Sequence, residues 1–312
     1  MTLSTMLPLP EPFDFHLTVG HQTHFMGRAG ADLYADGTYY RALRRRNDII
    51  VAAARPTDDA QREVRLLSAG GEPELAFASE AMVHLLALDI DLTGFYSMLE
   101  HDEALSEAVG GMRGLRPPRA ESIFEALVVA IIGQQISANV ARVIREGLIE
   151  AYGVPVDAEG HTLYAFPTPE SLNNATPDEL RGHKLSARKV EYVQDTARRT
   201  LEGELEIERF VDMDNEQVIA ELTKVRGIGR WSAEWMLMRA LGRVDVLPAG
   251  DLALRRVVSD LYFDGATITE AELSAFGKER WVPYRGIATT YLFSHLRQQR
   301  LAKGGEAPAQ AG

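Results

Sequence analysis

Two tryptophans and one aspartate stand close together in the stretch from Leu222 to Arg256. Trp231 and Trp235 lie four residues apart, and Asp251 follows Trp231 by 20 positions. An indole face attracts a cation by about 0.5 to 2 kcal/mol, so the two tryptophans can form a wall for a flat, positively charged ring. A carboxylate near such a wall can stabilise positive charge or orient an attacking water.

Each of these side chains also has a purely structural interpretation. Asp251 directly precedes the apolar run Leu252-Ala253-Leu254, which is the position of a helix N-cap, a role worth about 0.5 to 2 kcal/mol of stability. The two roles of Asp251 are compatible, because a helix N-terminus favours the ionised carboxylate. For the tryptophans, the alternative is packing against another helix.

A turn and two helices must position these residues. Gly227-Ile228-Gly229 is a turn, because glycines allow backbone conformations and close approaches that a Cβ blocks. A helix begins near Trp231 and ends at Gly242, and a loop with Pro248 leads to Asp251 and the next helix. Helical spacing puts four apolar residues on a core face and three others on the opposite face: Ala233, Met236, Leu237 and Ala240, against Trp231, Trp235 and Met238.

Composition narrows the setting. The 312 residues suggest two domains of about 150 residues each. The chain has no cysteine, which excludes disulfides, thiol nucleophiles and cysteine-ligated iron-sulfur clusters. It has neither an apolar run of about 18 residues nor the basic and apolar start of a signal peptide, so we expect a cytoplasmic protein that does not enter a membrane.

The formal net charge of -12 is unusual for a protein that binds nucleic acid. A whole-chain sum says little about a local face, however, and basic residues cluster around the glycine turn. Lys224, Arg226 and Arg230 are the candidate phosphate contacts.

Outside this stretch, hydrophobic periodicity predicts an α+β fold. Alternation predicts strands at Phe13–Leu17, at Thr38–Leu43, at Ile49–Ala53 and at Arg62–Ser68, followed by a helix from Ser79 to Leu88. From Phe95 onward the pattern is helical throughout. We therefore expect an antiparallel-sheet domain with helices at 1–113, an all-α domain at 114–300 and a disordered tail at 301–312.

The hairpin and the carboxylate that follows it resemble the helix-hairpin-helix, Gly-Pro-Asp superfamily of DNA base-excision glycosylases. Within it, the bacterial 3-methyladenine DNA glycosylase II group is most similar, because Trp231 rather than lysine follows Gly229-Arg230. Two further motifs carry the resemblance over about residues 12–296: Phe124-Glu125-Ala126 through Gln134-Gln135-Ile136-Ser137, and Trp281-Val282-Pro283-Tyr284-Arg285.

The resemblance implies a role for each site residue. Asp251 would be catalytic, Gln135 would enter the gap left by an extruded nucleotide, and Phe293 with His21 would complete the aromatic wall. The turn Gly227, Ile228 and Gly229 would present N–H groups to phosphates and carbonyls to a monovalent cation. No other cofactor is expected, and the expected partner of this monomer is double-stranded DNA with damaged bases.

Gln135 departs from the best-known relatives, which carry an apolar wedge there. A polar wedge would unstack DNA less forcefully, though it can hydrogen-bond the orphaned base. The alternative for Gln134 and Gln135 is a buried amide pair that caps a helix end.

Three functions remain open on the sequence. The first is a monofunctional glycosylase that hydrolyses alkylated purines from DNA and leaves an abasic site. The second is a non-catalytic helix-hairpin-helix DNA-binding protein, in which Asp251 only caps a helix. The third is an oxidised-base glycosylase with lyase activity, which would need an amine nucleophile where Trp231 stands.

Overall fold

The structure, a computed structural model, describes residues 3–23, 29–45, 48–57, 62–67 and 70–302. The first part of the chain forms β1 (Ser4–Leu7), α1 (Phe15–Thr23), β2 (Asp32–Ala35), β3 (Thr38–Arg45), β4 (Asp48–Pro56), β5 (Arg62–Leu66), α2 (Glu72–Leu85), α3 (Thr93–Leu99) and α4 (Glu103–Val109). The middle part forms α5 (Ile123–Gly133), α6 (Ala138–Tyr152), β6 (Val154–Ala158), β7 (His161–Ala165), α7 (Pro169–Asn174), α8 (Pro177–Gly182) and α9 (Ala187–Leu201). After a short 3₁₀ turn at Ile207–Phe210 come α10 (Asn215–Leu222), α11 (Arg230–Arg239), α12 (Leu252–Tyr262), α13 (Glu270–Arg280) and α14 (Arg285–Ala302).

The N-terminal strands form one antiparallel sheet in the order β1-β5-β4-β3-β2. Tyr39 and Leu43 of β3 belong to a core with α1 and α2, whereas Tyr40 and Ala42 face a smaller cluster that includes Leu163 of β7. This alternation follows from the period of two along a strand. The predicted α+β class and the three strands after residue 37 are confirmed.

Two N-terminal predictions are wrong. Phe13–Leu17 is no strand: the Asp14 carboxylate accepts a hydrogen bond from the Leu17 N–H at 2.8 Å and starts helix α1, which overrides the alternation of apolar residues. Helix α2 begins seven residues before Ser79, because Gly71 and Glu74 form a capping arrangement there.

The helical part also contains a two-stranded hairpin that the sequence reasoning missed. Strands β6 and β7 pair in antiparallel register around Glu159 and Gly160. The signal was present, since Val154-Pro155-Val156 and Thr162-Leu163-Tyr164 flank a turn residue pair.

Buried charge ties the sheet to the helical part. The fully buried Arg41 of β3 contacts Asp32 at 2.6 Å, Glu121 at 2.9 Å and Glu125 of α5 at 2.6 Å. Removing one partner of such a network leaves an uncompensated charge, at a cost of roughly 3 to 5 kcal/mol. Arg41 therefore holds the sheet in one position relative to α5.

The helices form two separate cores, and the candidate site lies where they meet. Helices α5, α6, α9, α10 and α11 contribute to the first core. Helices α3, α4, α12, α13 and α14 contribute to the second, which crosses the expected boundary at 113/114. Val246 belongs to the first core and Leu247 to the second, so the loop before Asp251 crosses from one to the other.

Helix α14 continues through Ala302, so the expected tail does not begin at 301, and residues 303–312 lie outside the described part. Among the described residues, no helix is both long and apolar enough to span a membrane.

Candidate functional site

Asp251 is held by hydrogen bonds to both of its carboxylate oxygens. Its Oδ1 accepts from the N–H groups of Ala253 at 2.8 Å and Leu254 at 3.0 Å, which confirms the predicted helix N-cap. Its Oδ2 accepts from the indole Nε1 of Trp231 at 3.0 Å. Two bonds to the backbone and one to a side chain of another helix fix the plane of the carboxylate.

The predicted aromatic residues lie in one row beside this carboxylate. The rings of Trp231 and Trp235 are 6.2 Å apart in an edge-to-face arrangement, and Phe293 of α14 is 5.4 Å from Trp235. Trp231 is 40% exposed, so its ring is open to a ligand. We call Trp231, Trp235 and Phe293 the aromatic wall.

His21 of the N-terminal domain contacts α14 next to the aromatic wall. Its Nδ1 lies 3.0 Å from Oγ of Ser294, the residue after Phe293. Helix α1 ends two residues later, so the end of this helix lies against α14.

A cation that the sequence reasoning missed already lies on the aromatic wall. The guanidinium carbon of Arg239 is 5.5 Å from the ring centroid of Trp235, and its Nη1 donates to the Pro118 carbonyl at 3.0 Å. Burial lowers the pKa of Arg239 to about 10. Its spacing of four residues from Trp235 on α11 was the available signal.

The predicted turn is formed by Val225 to Ile228, where the Ile228 N–H donates to the Val225 carbonyl at 3.1 Å. Gly227 has φ +82°, and a Cβ there would lie 2.1 Å from the ring of Tyr192. Gly227 is therefore required for both the turn and the close approach of Tyr192, a contact that no local pattern could indicate. A Cβ on Gly229 would meet open space.

The turn presents backbone N–H groups on its exposed side. In the described part of the chain, the N–H groups of Gly227 and Gly229 have no acceptor, and both glycines are exposed. Ile228, between them, is buried and anchors the turn in the core. Unpaired N–H groups on an exposed turn are suited to phosphate oxygens.

Gln134 and Gln135 differ in their environment. Gln134 is the C-cap of α5, and its Nε2 donates to the Gly227 carbonyl at 2.9 Å. Gln135 is exposed and has φ +56°, a conformation that costs a residue with a Cβ about 1 to 2 kcal/mol. The interpretation as a buried amide pair therefore fails for Gln135, whereas Gln134 connects this loop to the turn.

The three cations predicted to contact phosphates are all paired with carboxylates. Lys224 contacts Glu221 at 2.6 Å, and Arg226 contacts Glu191 at 3.2 Å. Arg230 contacts both Glu216, at 2.5 Å, and Glu234, at 3.0 Å. Three of these partners come from α9 and α10, and a phosphate would have to compete with them.

Glu234 lies on the buried side of α11. Burial raises its pKa to about 7 against the opposing effect of Arg230, and the nearby Glu270 and Glu216 raise it further. Its side chain is therefore poised to change charge near neutral pH.

One prediction about α11 is wrong. Helical spacing predicts Met238 on the face opposite the core, with the tryptophans, yet it is only 5% exposed and belongs to the first core. Helix α11 packs against both α5 and α10, so its buried arc is wider than one helical face.

No group of three or more His, Cys, Asp or Glu side chains suited to a metal ion occurs among the residues that the structure describes. The site combines a fixed carboxylate, an aromatic wall and a turn whose N–H groups have no acceptor among the described residues. Together they can hold a flat ring, stabilise positive charge beside it and bind a phosphate nearby.

Known proteins resemble this arrangement. A family model for the HhH-GPD superfamily base excision DNA repair protein matches residues 128–283. The DNA-3-methyladenine glycosylase of Bacillus subtilis (strain 168) is 32% identical over 67% of this chain and 69% of its own. A Mycobacterium tuberculosis (strain CDC 1551 / Oshkosh) protein, the probable bifunctional transcriptional activator/DNA repair enzyme AlkA, is 31% identical over 95% of this chain, which spans 57% of that relative.

A solved structure agrees over nearly the whole length. The 3-methyladenine DNA-glycosylase from Archaeoglobus fulgidus superposes with a TM-score of 0.81 at 28% identity, covering 94% of this chain and 98% of that one. The likeness in fold therefore extends over both the N-terminal and the helical part of the chain. With the turn, the aromatic wall and the capping aspartate in place, the chain belongs to the HhH-GPD superfamily of base excision DNA repair proteins.

Proposed function

We propose that this protein is a monofunctional DNA glycosylase that hydrolyses the N-glycosidic bond of alkylated purines, such as 3-methyladenine, and leaves an abasic site. The observation that carries the proposal is the bond from Trp231 Nε1 to Asp251 Oδ2, which joins a carboxylate to an aromatic wall. The names of the Bacillus and Archaeoglobus relatives support the alkylated base as the substrate.

The reaction begins with extrusion of the nucleotide, because a base inside a duplex is inaccessible. The N–H groups of Gly227 and Gly229 bind phosphate oxygens, and Arg230, Lys224 and Arg226 add positive charge around them. Gln135, exposed in its left-handed conformation, fills the gap in the stack and can hydrogen-bond the orphaned base. An α-helical scaffold fixes all of these groups relative to Asp251.

The extruded base lies against Trp231, Trp235, Phe293 and His21. Alkylation at a purine ring nitrogen makes the base cationic, so it leaves readily and needs no strong general acid. Asp251 stabilises the oxocarbenium-like sugar or orients the water that attacks it. Because the carboxylate is already fixed by three hydrogen bonds, little reorganisation accompanies the reaction.

The residue at position 231 argues against lyase chemistry. A lyase needs an amine next to the hairpin to form a Schiff base with the sugar, and Trp231 stands there. The monofunctional reaction is therefore favoured over an oxidised-base glycosylase with lyase activity.

A monovalent cation at the turn is part of this proposal. The carbonyls of Gly227 and Val225 each accept one hydrogen bond, from Gln134 and Ile228, and each keeps a second lone pair. These two oxygens would hold the cation, and the cation would add positive charge for a phosphate at the turn. We further propose that the protein acts as a monomer on double-stranded DNA.

A panel of duplexes tests the function. Each duplex carries one defined lesion: 3-methyladenine, 7-methylguanine, hypoxanthine or 8-oxoguanine. Chromatography measures the base that is released. We expect release from the alkylated purines, with an undamaged duplex as the control. Tight binding of every duplex without release of any base would instead support the non-catalytic DNA-binding protein.

A further inference from the structure

Two arginines of α12 lie near the site and have no carboxylate partner among the described residues. Arg255 and Arg256 follow Asp251 by four and five residues, and neither forms an ion pair with a described residue. Lys224, Arg226 and Arg230, by contrast, all do. The positive charge of these two arginines is therefore available to a polyanion beside the capping aspartate.

Both arginines line a pocket of about 300 Å³ on the outer side of α12. Polar and apolar side chains from α12 and from the loop before α13 complete it, among them Leu252, Ser259, Asp260 and Thr267. Leu252 is 75% exposed and directly follows Asp251. The pocket therefore begins one residue away from the carboxylate.

The charge in this pocket is only weakly compensated. Arg255 donates from Nη1 to the Ile268 carbonyl at 3.4 Å, and its buried Nε has no acceptor among the described residues. A neutral carbonyl orients a guanidinium without cancelling its charge. Arg256 is exposed, and although Asp260 lies four residues later in the same pocket, no ion pair between them is present within 4.0 Å.

We propose that this pocket binds a backbone phosphate of the DNA strand that carries the lesion. A rise of 1.5 Å per residue places Arg255 and Arg256 about 6 to 7.5 Å along the helix axis from Asp251. The inference rests on the proposed function, because it takes the sugar of the extruded nucleotide to lie at Asp251. The phosphates that flank this sugar belong to the same strand as the lesion. Guanidinium groups suit a phosphate because they present several donors in a fixed plane.

A double-mutant cycle between protein and DNA tests the contact. Duplexes with a stable abasic analogue carry one neutral methylphosphonate at each successive position of either strand. Binding of the wild-type protein is compared with that of R255Q, R256Q and the double variant by fluorescence anisotropy from 50 to 200 mM salt. K278Q, which removes an equal charge from an exposed residue of α13, is the matched control.

In the double variant we expect affinity to fall about tenfold and the salt slope to fall by about one or more. One methylphosphonate on the lesion strand weakens wild-type binding and has little further effect in the double variant, because the contact is already absent. D260N, which removes the carboxylate of the pocket, strengthens binding. K278Q shows no coupling to any position.

Additive effects at every position, or unchanged affinity of a folded double variant, would overturn the proposal; circular dichroism establishes the folding. Coupling confined to the opposite strand would overturn it as well. Base release is measured separately on the lesion panel. A protein that releases bases without this coupling fails only this inference, and one that couples without releasing any base fails only the proposed function.

Discussion

Replacing Trp231 by phenylalanine separates the two contributions that this residue makes. Phenylalanine keeps an aromatic ring in the aromatic wall but has no N–H group to donate to Asp251 Oδ2. The two backbone bonds to Oδ1 remain, so α12 keeps its N-cap. In the variant, the Asp251 carboxylate is held only through Oδ1, so Oδ2 is no longer fixed in position.

The size of the effect follows from the lost bond. A hydrogen bond to a charged group contributes about 1.5 to 3 kcal/mol. If the bond is needed to hold the carboxylate in its reactive orientation, the loss appears in the chemical step, as a decrease of about 10- to 150-fold. Trp231 is 40% exposed, so the thermal midpoint should change little.

Single-turnover excision with enzyme in excess gives the rate of the chemical step, and anisotropy with an abasic duplex gives affinity. Trp235→Phe is the matched control, because the indole Nε1 of Trp235 has no acceptor among the described residues. We expect a slow chemical step with nearly unchanged affinity in Trp231→Phe, and a smaller decrease in Trp235→Phe. Equal decreases in the two variants would refute the positioning role of the Trp231 N–H group.

Three other predictions test separate parts of the account. Excision should leave an intact abasic site, and trapping of a covalent protein–DNA adduct with borohydride would contradict the absence of a positioned amine at Trp231. Trp235→Ala should lower excision efficiency about 10- to 100-fold, because stacking is worth about 1 to 3 kcal/mol per base. Release assays on alkylated duplexes measure this efficiency. An unchanged rate would show that Trp235 does not stack on the base. Burial raises the pKa of Glu234 from 4.5 to about 7, so the folded state binds a proton that the unfolded state has lost, and stability should fall as pH rises from 4.5 to 7. After allowance for solvent screening the change is about 2 kcal/mol, and in denaturant titrations Glu234→Gln should flatten this dependence; an identical slope in both proteins would count against it.

The hairpin was predictable because its turn and the helix cap that follows it are set by residues close together in the sequence. Gly227 has φ +82°, a conformation that favours glycine, and Asp251 caps the helix that its position in the sequence predicts. The strand predicted at Phe13–Leu17 failed for a local reason too: the Asp14 cap outweighed the alternation of apolar residues. Where two local signals conflict, as the Asp14 cap and the apolar alternation do, a single sequence shows that both are present but not which one is stronger.

What the sequence could not predict depends on long-range contacts. The 20-residue spacing placed Trp231 near Asp251, yet only the meeting of the two helical cores aims the indole N–H at Oδ2. The carboxylates on Arg226 and Arg230 come from α9 and α10, so a count of positive residues overstated the free charge at the turn. How the elements pack against one another decides which of their side chains meet. The periodicity of residues within one element does not predict this.

Base release by Asp251→Asn tests the central claim most directly. Asparagine keeps the volume and a capping oxygen but has no charge. Its NH₂ group cannot accept the hydrogen bond that Trp231 donates, so stability should fall by about 1 kcal/mol. Single-turnover assays on a 3-methyladenine duplex should detect no released base, while affinity for an abasic duplex stays near that of the wild type. Excision at nearly the wild-type rate would contradict the account and reduce Asp251 to a helix cap.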